Sequence, residues 1–174
     1  MRSPTLEQIN DIRKTGFRPG VVGCLINNDK VLLFYKREYD QWTFPQGGIN
    51  NGETGEQALV RNMRSEVGES LVKNFDPSAI VIGHSKIEFS EKRQNVKDLQ
   101  TDDGVAVNMV GKTYFFYVII VKSTQVNIED TDFDDYYWCD GDEADYLINT
   151  LKVKNKKAMM LSVLELLKSE GYIK

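Results

Sequence analysis

The sequence predicts an α/β domain in which a mixed β-sheet is flanked by helices, and three observations predict it. Val21–Ile26, Lys30–Tyr35 and Lys112–Val121 are short runs rich in Val, Ile, Leu and aromatic residues, the composition of a pleated and buried surface. Around Leu59 and again around Leu164 the apolar spacing changes to the three-and-four rhythm of a helix with one buried side. Strands come first and in the middle of the chain, with helices between them and at its end, an order that packs helices on a sheet. At 174 residues the chain can bury one ordinary core without disulfide or metal staples. Residues 1–174 therefore read as one domain, with 1–16 an N-terminal helical extension and 152–174 a C-terminal helix.

Ser3 to Arg13 reads as the first helix, because Ser3-Pro4 is a cap followed by a first turn and Leu6, Ile9 and Ile12 recur at helical spacing. Phe17-Arg18-Pro19-Gly20 then breaks the chain. Val21–Ile26 and Lys30–Tyr35 form a hairpin around Asn27-Asn28-Asp29. Glu38 to Gln41 is a polar connection, and Trp42 to Gln46 an extended segment feeding Gly47-Gly48. The next helix starts at Thr54, whose hydroxyl and the Gln57 amide make a capping box, and stops at Gly68. Leu59, Met63 and Val67 form its buried stripe, while Asn62, Ser65, Glu66 and Glu69 share the neighbouring face. Ala79–Gly83 and Lys86–Phe89 are further strands. Ser90 to Gly111 has the polar profile of a surface loop or lid. Lys112–Val121 is near-continuously apolar, hence central. An acidic stretch, Glu129 to Asp135, leads into the strand Tyr136–Cys139, and helices over Asp142–Leu151 and Lys157–Glu170 close the domain.

Composition narrows the function. No apolar run is long enough to cross a bilayer and the start is not signal-like, so the expected compartment is the cytoplasm, with no membrane partner. Cys24 and Cys139 lie in apolar stretches and read as buried thiols. One histidine and no paired cysteines exclude a zinc site, so a metal would need oxygen ligands, which points to Mg²⁺ or Mn²⁺. A net charge of −4 argues against coating a DNA duplex but allows a local basic groove for one phosphorylated end.

The stretch Trp42-Thr43-Phe44-Pro45-Gln46-Gly47-Gly48-Ile49-Asn50 runs directly into Gly47, Glu53, Arg61, Met63, Glu66 and Gly68 at fixed spacing. That array resembles the Nudix box, whose pattern is Gly, five residues, Glu, seven residues, Arg-Glu, an aliphatic residue, any residue, Glu-Glu, any residue, Gly and an aliphatic residue. Phe17-Arg18-Pro19 and Asp132-Phe133-Asp134 before Trp138 extend the likeness toward bacterial RNA pyrophosphohydrolases and dinucleoside polyphosphate hydrolases. The resemblance implies a curved mixed sheet in an α/β/α sandwich and metal-dependent cleavage of a diphosphate linkage in a nucleotide or RNA 5′ end. It implies Glu66, Arg61 and Glu53 at the catalytic centre, Gly47 and Glu66 as metal ligands, and Arg61 as an orienting group. Asp132 matches an acidic residue that joins the metal site from a separate loop, and Glu69 shares the helix face of Glu66. Arg18, Lys36 and Arg37 match positions on the phosphate path. Gln46, Gly48, Phe133 and Tyr137 complete the expected substrate contacts, the aromatics by stacking on a base.

The chemistry explains the spacing, since carboxylates on adjacent helical turns hold the cation that neutralises phosphate oxygens and activates water. The box departs from its pattern at Asn62 and Ser65, where two glutamates are expected, and at Glu69. A carboxylate about 4 Å from a single positive charge is worth about 4 kcal/mol at an effective dielectric of 20, so losing two weakens metal binding by orders of magnitude. Two readings follow. One is a hydrolase working with Glu66, a substrate-assisted ion and Asp132 or Glu69. The other is a lapsed domain that binds a nucleotide, an RNA 5′ end or a protein partner without metal. Asn62→Glu with Ser65→Glu discriminates them.

Overall fold

The computed structural model describes residues 1–174 and has the predicted class. Its elements in order are α1 (Leu6–Lys14), β1 (Phe17–Asn27), β2 (Lys30–Lys36), β3 (Gln41–Thr43), β4 (Gln46–Gly48), α2 (Gly55–Val67), α3 (Glu69–Val72), β5 (Ile80–Glu88), β6 (Asp98–Gln100), β7 (Ala106–Asn108), β8 (Gly111–Ile120), β9 (Asp135–Cys139), α4 (Gly141–Asn149) and α5 (Lys154–Ser169). The main sheet has seven strands. Its spine runs β3-β2-β1-β8-β5, with β4 added to β1 and β9 to β2. β1 and β8 pair in parallel from Phe17↔Gly111 to Ile26↔Ile120, and the other ladders are antiparallel.

Period-two alternation splits the core into two layers. Val22, Cys24, Leu33, Tyr114, Phe116 and Val118 face α4 and α5. Val21, Leu25, Leu32, Phe34, Phe115 and Tyr117 face α1 and α2. Strands buried on both faces have no polar side to show, which is why β1 and β8 read as continuous apolar runs.

Several local readings change. The first cap is Thr5, in a capping box with Gln8, while the Ser3 hydroxyl pairs with the Tyr117 hydroxyl at 2.7 Å. Phe17 to Gly20 does not break the chain but extends β1, because pairing with Gly111 to Tyr114 outweighs the local turn preference of Pro19 and Gly20. Asn28 and Asp29 both take positive φ, 47° and 60°, as a two-residue hairpin turn requires. Ala79–Gly83 and Lys86–Phe89 merge into one strand, β5, with a bulge between Val81 and Gly83. The polar stretch after Ser90 holds the β6–β7 hairpin, tied down through Asp102. That residue takes the buried Arg13 guanidinium (3.1 Å) and the Asn51 amide (2.8 Å), and its N–H donates to the Asn10 side chain. Cys24 and Cys139 are buried and form no disulfide.

Candidate active site

Glu66 lies in the last turn of α2, where the Thr54–Gln57 box at one end and Gly68 at the other fix the helix. Gly68 has φ of +82°, and a Cβ there would come 2.6 Å from the Asp130 carbonyl, so only glycine lets the chain turn here. The turn brings the acidic loop back. The Asp132 N–H donates to the Glu66 main-chain carbonyl (2.8 Å), and Lys36 donates to the Asp132 carbonyl. The Gln46 N–H donates to Glu66 Oε2 at 2.7 Å, which aims the carboxylate between β4 and the acidic loop.

Two pockets meet at Glu66 and Gln46. One, about 240 Å³, is lined by Arg18, Gly20, Gly47, Gly48, Lys112 and Tyr114 among others. The other, about 190 Å³, is lined by Lys36, Tyr39, Asp132, Phe133 and Lys156 among others. Burial pushes the Glu66 carboxyl up to about 7. The Gln46 N–H opposes this, Asp132 adds to it, and Lys156 and Lys36 pull it down. Burial also lowers Lys156 to about 8, with Glu66 pulling the other way and Lys112 adding to the depression. Lys112 is depressed by burial first and then by Arg18 and Lys97.

The glycine-loop side is closed on itself. Arg61 makes a two-pronged ion pair with Glu53 (2.7 Å at each prong) and donates to the Gly48 carbonyl at 2.8 Å. Glu53 also accepts from the Asn50 N–H, and its pairing with Arg61 holds its carboxyl below the usual range. The buried Asn62 amide donates to the carbonyls of Gly48 (3.0 Å) and Ala58 (2.9 Å), while its oxygen accepts from Arg61. Both neighbours are carbonyl oxygens, which only accept, so the amide nitrogen must face them. A Cβ on Gly47 would sit 1.9 Å from the Asn62 oxygen, so loop and helix touch only because position 47 is glycine.

The structure therefore sorts the expected residues. It brings Glu66, Asp132, Gly47, Gly48, Gln46, Arg18, Lys36 and Phe133 to the two pockets, with Phe133 stacked on Phe34 at 4.6 Å. Arg61 and Glu53, expected at the catalytic centre, brace the loop beside it and line neither pocket. Glu69 begins α3 and pairs with Arg64 at 3.2 Å, turned away from Glu66 by the Gly68 bend. Ser65 is exposed and lines neither pocket. The Arg37 N–H donates to the Asp134 carboxylate, and Arg37, expected on the phosphate path, lines neither pocket. Tyr137 pairs with Leu33 in the ladder and lines a separate groove of about 540 Å³ with Trp42 and Tyr146, its hydroxyl on Glu143.

Sequence reasoning missed Lys112 and Tyr114 as lining residues, and reads Lys156 only as one member of the basic turn Lys152 to Lys157. A signal for Lys156 existed: Lys156, Met160, Val163 and Leu167 fall on one helical stripe whose other members are buried, so the lysine extends that stripe past its apolar end. For Lys112 the signal needs the parallel register, which sets it beside Arg18.

Comparison with known proteins agrees with this geometry. The family profile described as "NUDIX domain" matches residues 16–161. The chain is 31% identical to the RNA pyrophosphohydrolase of Baumannia cicadellinicola subsp. Homalodisca coagulata, over 73% of this chain and 79% of that protein. It is 52% identical to the RNA pyrophosphohydrolase of Acinetobacter baylyi in a shorter match, covering 33% of this chain and 35% of that one. The fold superposes on a crystal structure of an Ap4A hydrolase from C. elegans with a TM-score of 0.55 at 14% identity, covering 88% of this chain and 96% of the other. No helix is long and apolar enough to cross a membrane. A half-buried glutamate between two cation-lined pockets sits on a glycine loop and helix that fall within the matched residues: the protein belongs to the Nudix family.

Proposed function

We propose that this chain is a hydrolase that cleaves a diphosphate linkage in a 5′-triphosphorylated RNA end or a dinucleoside polyphosphate, with residues 1–174 acting as one domain. The observation that carries the reading is the meeting of two pockets at Glu66, with Arg18 and Lys112 on one side and Lys36 and Lys156 on the other. Four cations against the carboxylates of Glu66 and Asp132 favour a polyanion in a chain whose net charge is −4. The relatives named RNA pyrophosphohydrolase and Ap4A hydrolase support the same substrate class. Buried thiols that form no disulfide suit a reducing compartment such as the cytoplasm.

The donor set suits a single hard cation. Glu66 has one oxygen free of hydrogen bonds and Asp132 has an uncommitted carboxylate in the same pocket, but there is no cluster of three or more acidic, histidine or cysteine side chains. Glu66 and Asp132 would hold Mg²⁺ or Mn²⁺, which supplies charge neutralisation on phosphate oxygens and a more acidic bound water, the substrate completing its shell. The chain's own groups do the rest. Arg18 and Lys36 hold the phosphates, the Gln46 N–H fixes the carboxylate, and Phe133 offers an aromatic surface beside the phosphate path. Arg61 and Glu53 act as positioning residues that hold the loop in place.

A second reading, a binding domain without turnover, is favoured by Asn62, whose amide already occupies the Gly48 and Ala58 carbonyls where a glutamate would contribute negative charge. Its partners would be a nucleotide, an RNA 5′ end or a protein. Turnover of triphosphorylated RNA, dinucleoside polyphosphates and nucleoside triphosphates with Mg²⁺ or Mn²⁺ separates the two. The hydrolase reading expects phosphate or pyrophosphate release that falls at least about a thousandfold in Glu66→Gln. Absence of release from every substrate supports the binding reading instead.

A further inference from the structure

Arg18, Lys112 and Lys156 converge from three elements, β1, β8 and α5. Parallel pairing puts Arg18 beside Lys112 on the face of the sheet that α5 covers. Gly48 lets the Arg18 guanidinium lie against the loop, since a Cβ there would come 2.7 Å from its terminal nitrogen. Lys156 enters from the first helical turn of α5, over Glu66.

Arg18, Lys112 and Lys156 form no ion pair within 4.0 Å and donate no hydrogen bond inside the protein. The buried Arg13, by contrast, is matched to Asp102 and the Ile49 carbonyl. Lys112 and Lys156 are half-buried and Arg18 is exposed; half-buried lysines without an ion pair oppose folding, and a fold keeps such an arrangement where a ligand supplies the missing charge. The start of α5 repeats the pattern. It has no side-chain cap and no acidic residue in its first turn, whereas α1, α2 and α4 all begin with capping boxes. A lysine there works against the helix dipole. Lysine and arginine are the side chains that match phosphate oxygens, as point charge and as fork.

We propose that Lys112, Lys156 and Arg18 hold a phosphoryl group of the substrate directly, so that a polyphosphate binds this site without a divalent cation. The proposal rests on the polyphosphate reading above and assigns to lysines part of the charge neutralisation that carboxylate-bound ions would provide. It makes binding and cleavage separable, with metal needed only for the second.

Calorimetric titration with inorganic tripolyphosphate in EDTA tests it, on wild type, Lys112→Met, Lys156→Met and Lys156→Arg. Wild type is expected to bind in EDTA within about threefold of its affinity in Mg²⁺, with affinity falling as salt rises. Each methionine variant is expected to lose at least about tenfold, and Lys156→Arg to keep most of the affinity. Binding by wild type only in Mg²⁺, or methionine variants that bind like wild type, would overturn the proposal. Thermal unfolding of each variant confirms that it is folded, and the wild-type EDTA titration decides the matter even where a variant is not. Binding in EDTA by a protein that hydrolyses nothing would leave this inference standing and remove the hydrolase reading. Hydrolysis with strictly metal-dependent binding would do the reverse.

Discussion

On the glycine-loop side of Glu66 the polar side chains are matched internally: Arg61 by Glu53 and the Gly48 carbonyl, Asn62 by Gly48 and Ala58. On the α5 side Lys156, Lys112 and Arg18 form no ion pair within 4.0 Å, and Lys156 feels Glu66 only at longer range. Both sides are polar and both flank the same carboxylate, yet the first is a brace and the second a receptacle. Satisfied polar groups hold a structure together, whereas unsatisfied ones at a pocket cost stability and are kept for a ligand. Pairing therefore separates Arg61 from Arg18 more sharply than position in the Nudix box does.

The largest expected effect concerns Glu66 itself, because cations committed to it would hold its carboxyl low. Burial instead raises it from 4.5 to about 7, so the folded state favours the protonated form. Below pH 4.5 Glu66 is protonated folded and unfolded and costs nothing. As pH rises to 7 the cost of the buried charge grows to about 3 kcal/mol and then stays constant. Denaturant unfolding of wild type and Glu66→Gln should thus diverge between pH 4.5 and 7, with wild type the less stable at neutral pH. Parallel stability curves would mean that the lysines neutralise Glu66 after all.

A smaller effect tests the closed side. Asn62→Glu with Ser65→Glu restores the carboxylates that the Nudix pattern expects but replaces two donated hydrogen bonds with a buried charge facing carbonyls. Without metal this variant should lose about 2 kcal/mol of stability. With Mn²⁺ it should regain that loss and turn over substrate at least about tenfold faster than wild type. An unchanged rate in a folded, metal-binding variant would show that Asn62 is not what limits the site.

Much of this arrangement was legible in the sequence. The continuous apolar run of Lys112–Val121 announced a strand covered on both faces, and Thr54, Gln57 and Gly68 marked both ends of α2. What stayed hidden depends on pairing across long sequence separations. Phe17 to Gly20 has turn-like residues and becomes strand only beside Gly111 to Tyr114. The Ser90–Gly111 stretch is polar because it is exposed, and its anchoring through Asp102 needs Arg13 on α1. The start of α5 read as Lys157 because nothing before it resembles a cap, and that shift hid Lys156 among solvated lysines. Tyr137 is an aromatic neighbour of Phe133 in sequence, but ladder parity sends it to the opposite face, where it meets Trp42.

The contrast between brace and receptacle is tested most directly by thermal unfolding of Arg61→Met beside Lys156→Met at neutral pH in EDTA. Both substitutions remove one cation and leave an unbranched apolar chain. Arg61→Met breaks a two-pronged pair and removes one of the two donors to the Gly48 carbonyl, so it should lower stability by about 1–2 kcal/mol. Lys156→Met removes a half-buried charge whose burial outweighs its attraction to Glu66, so it should raise stability by about 1–2 kcal/mol. Opposite signs are the predicted result, and a Lys156→Met protein destabilised as much as Arg61→Met would contradict the account.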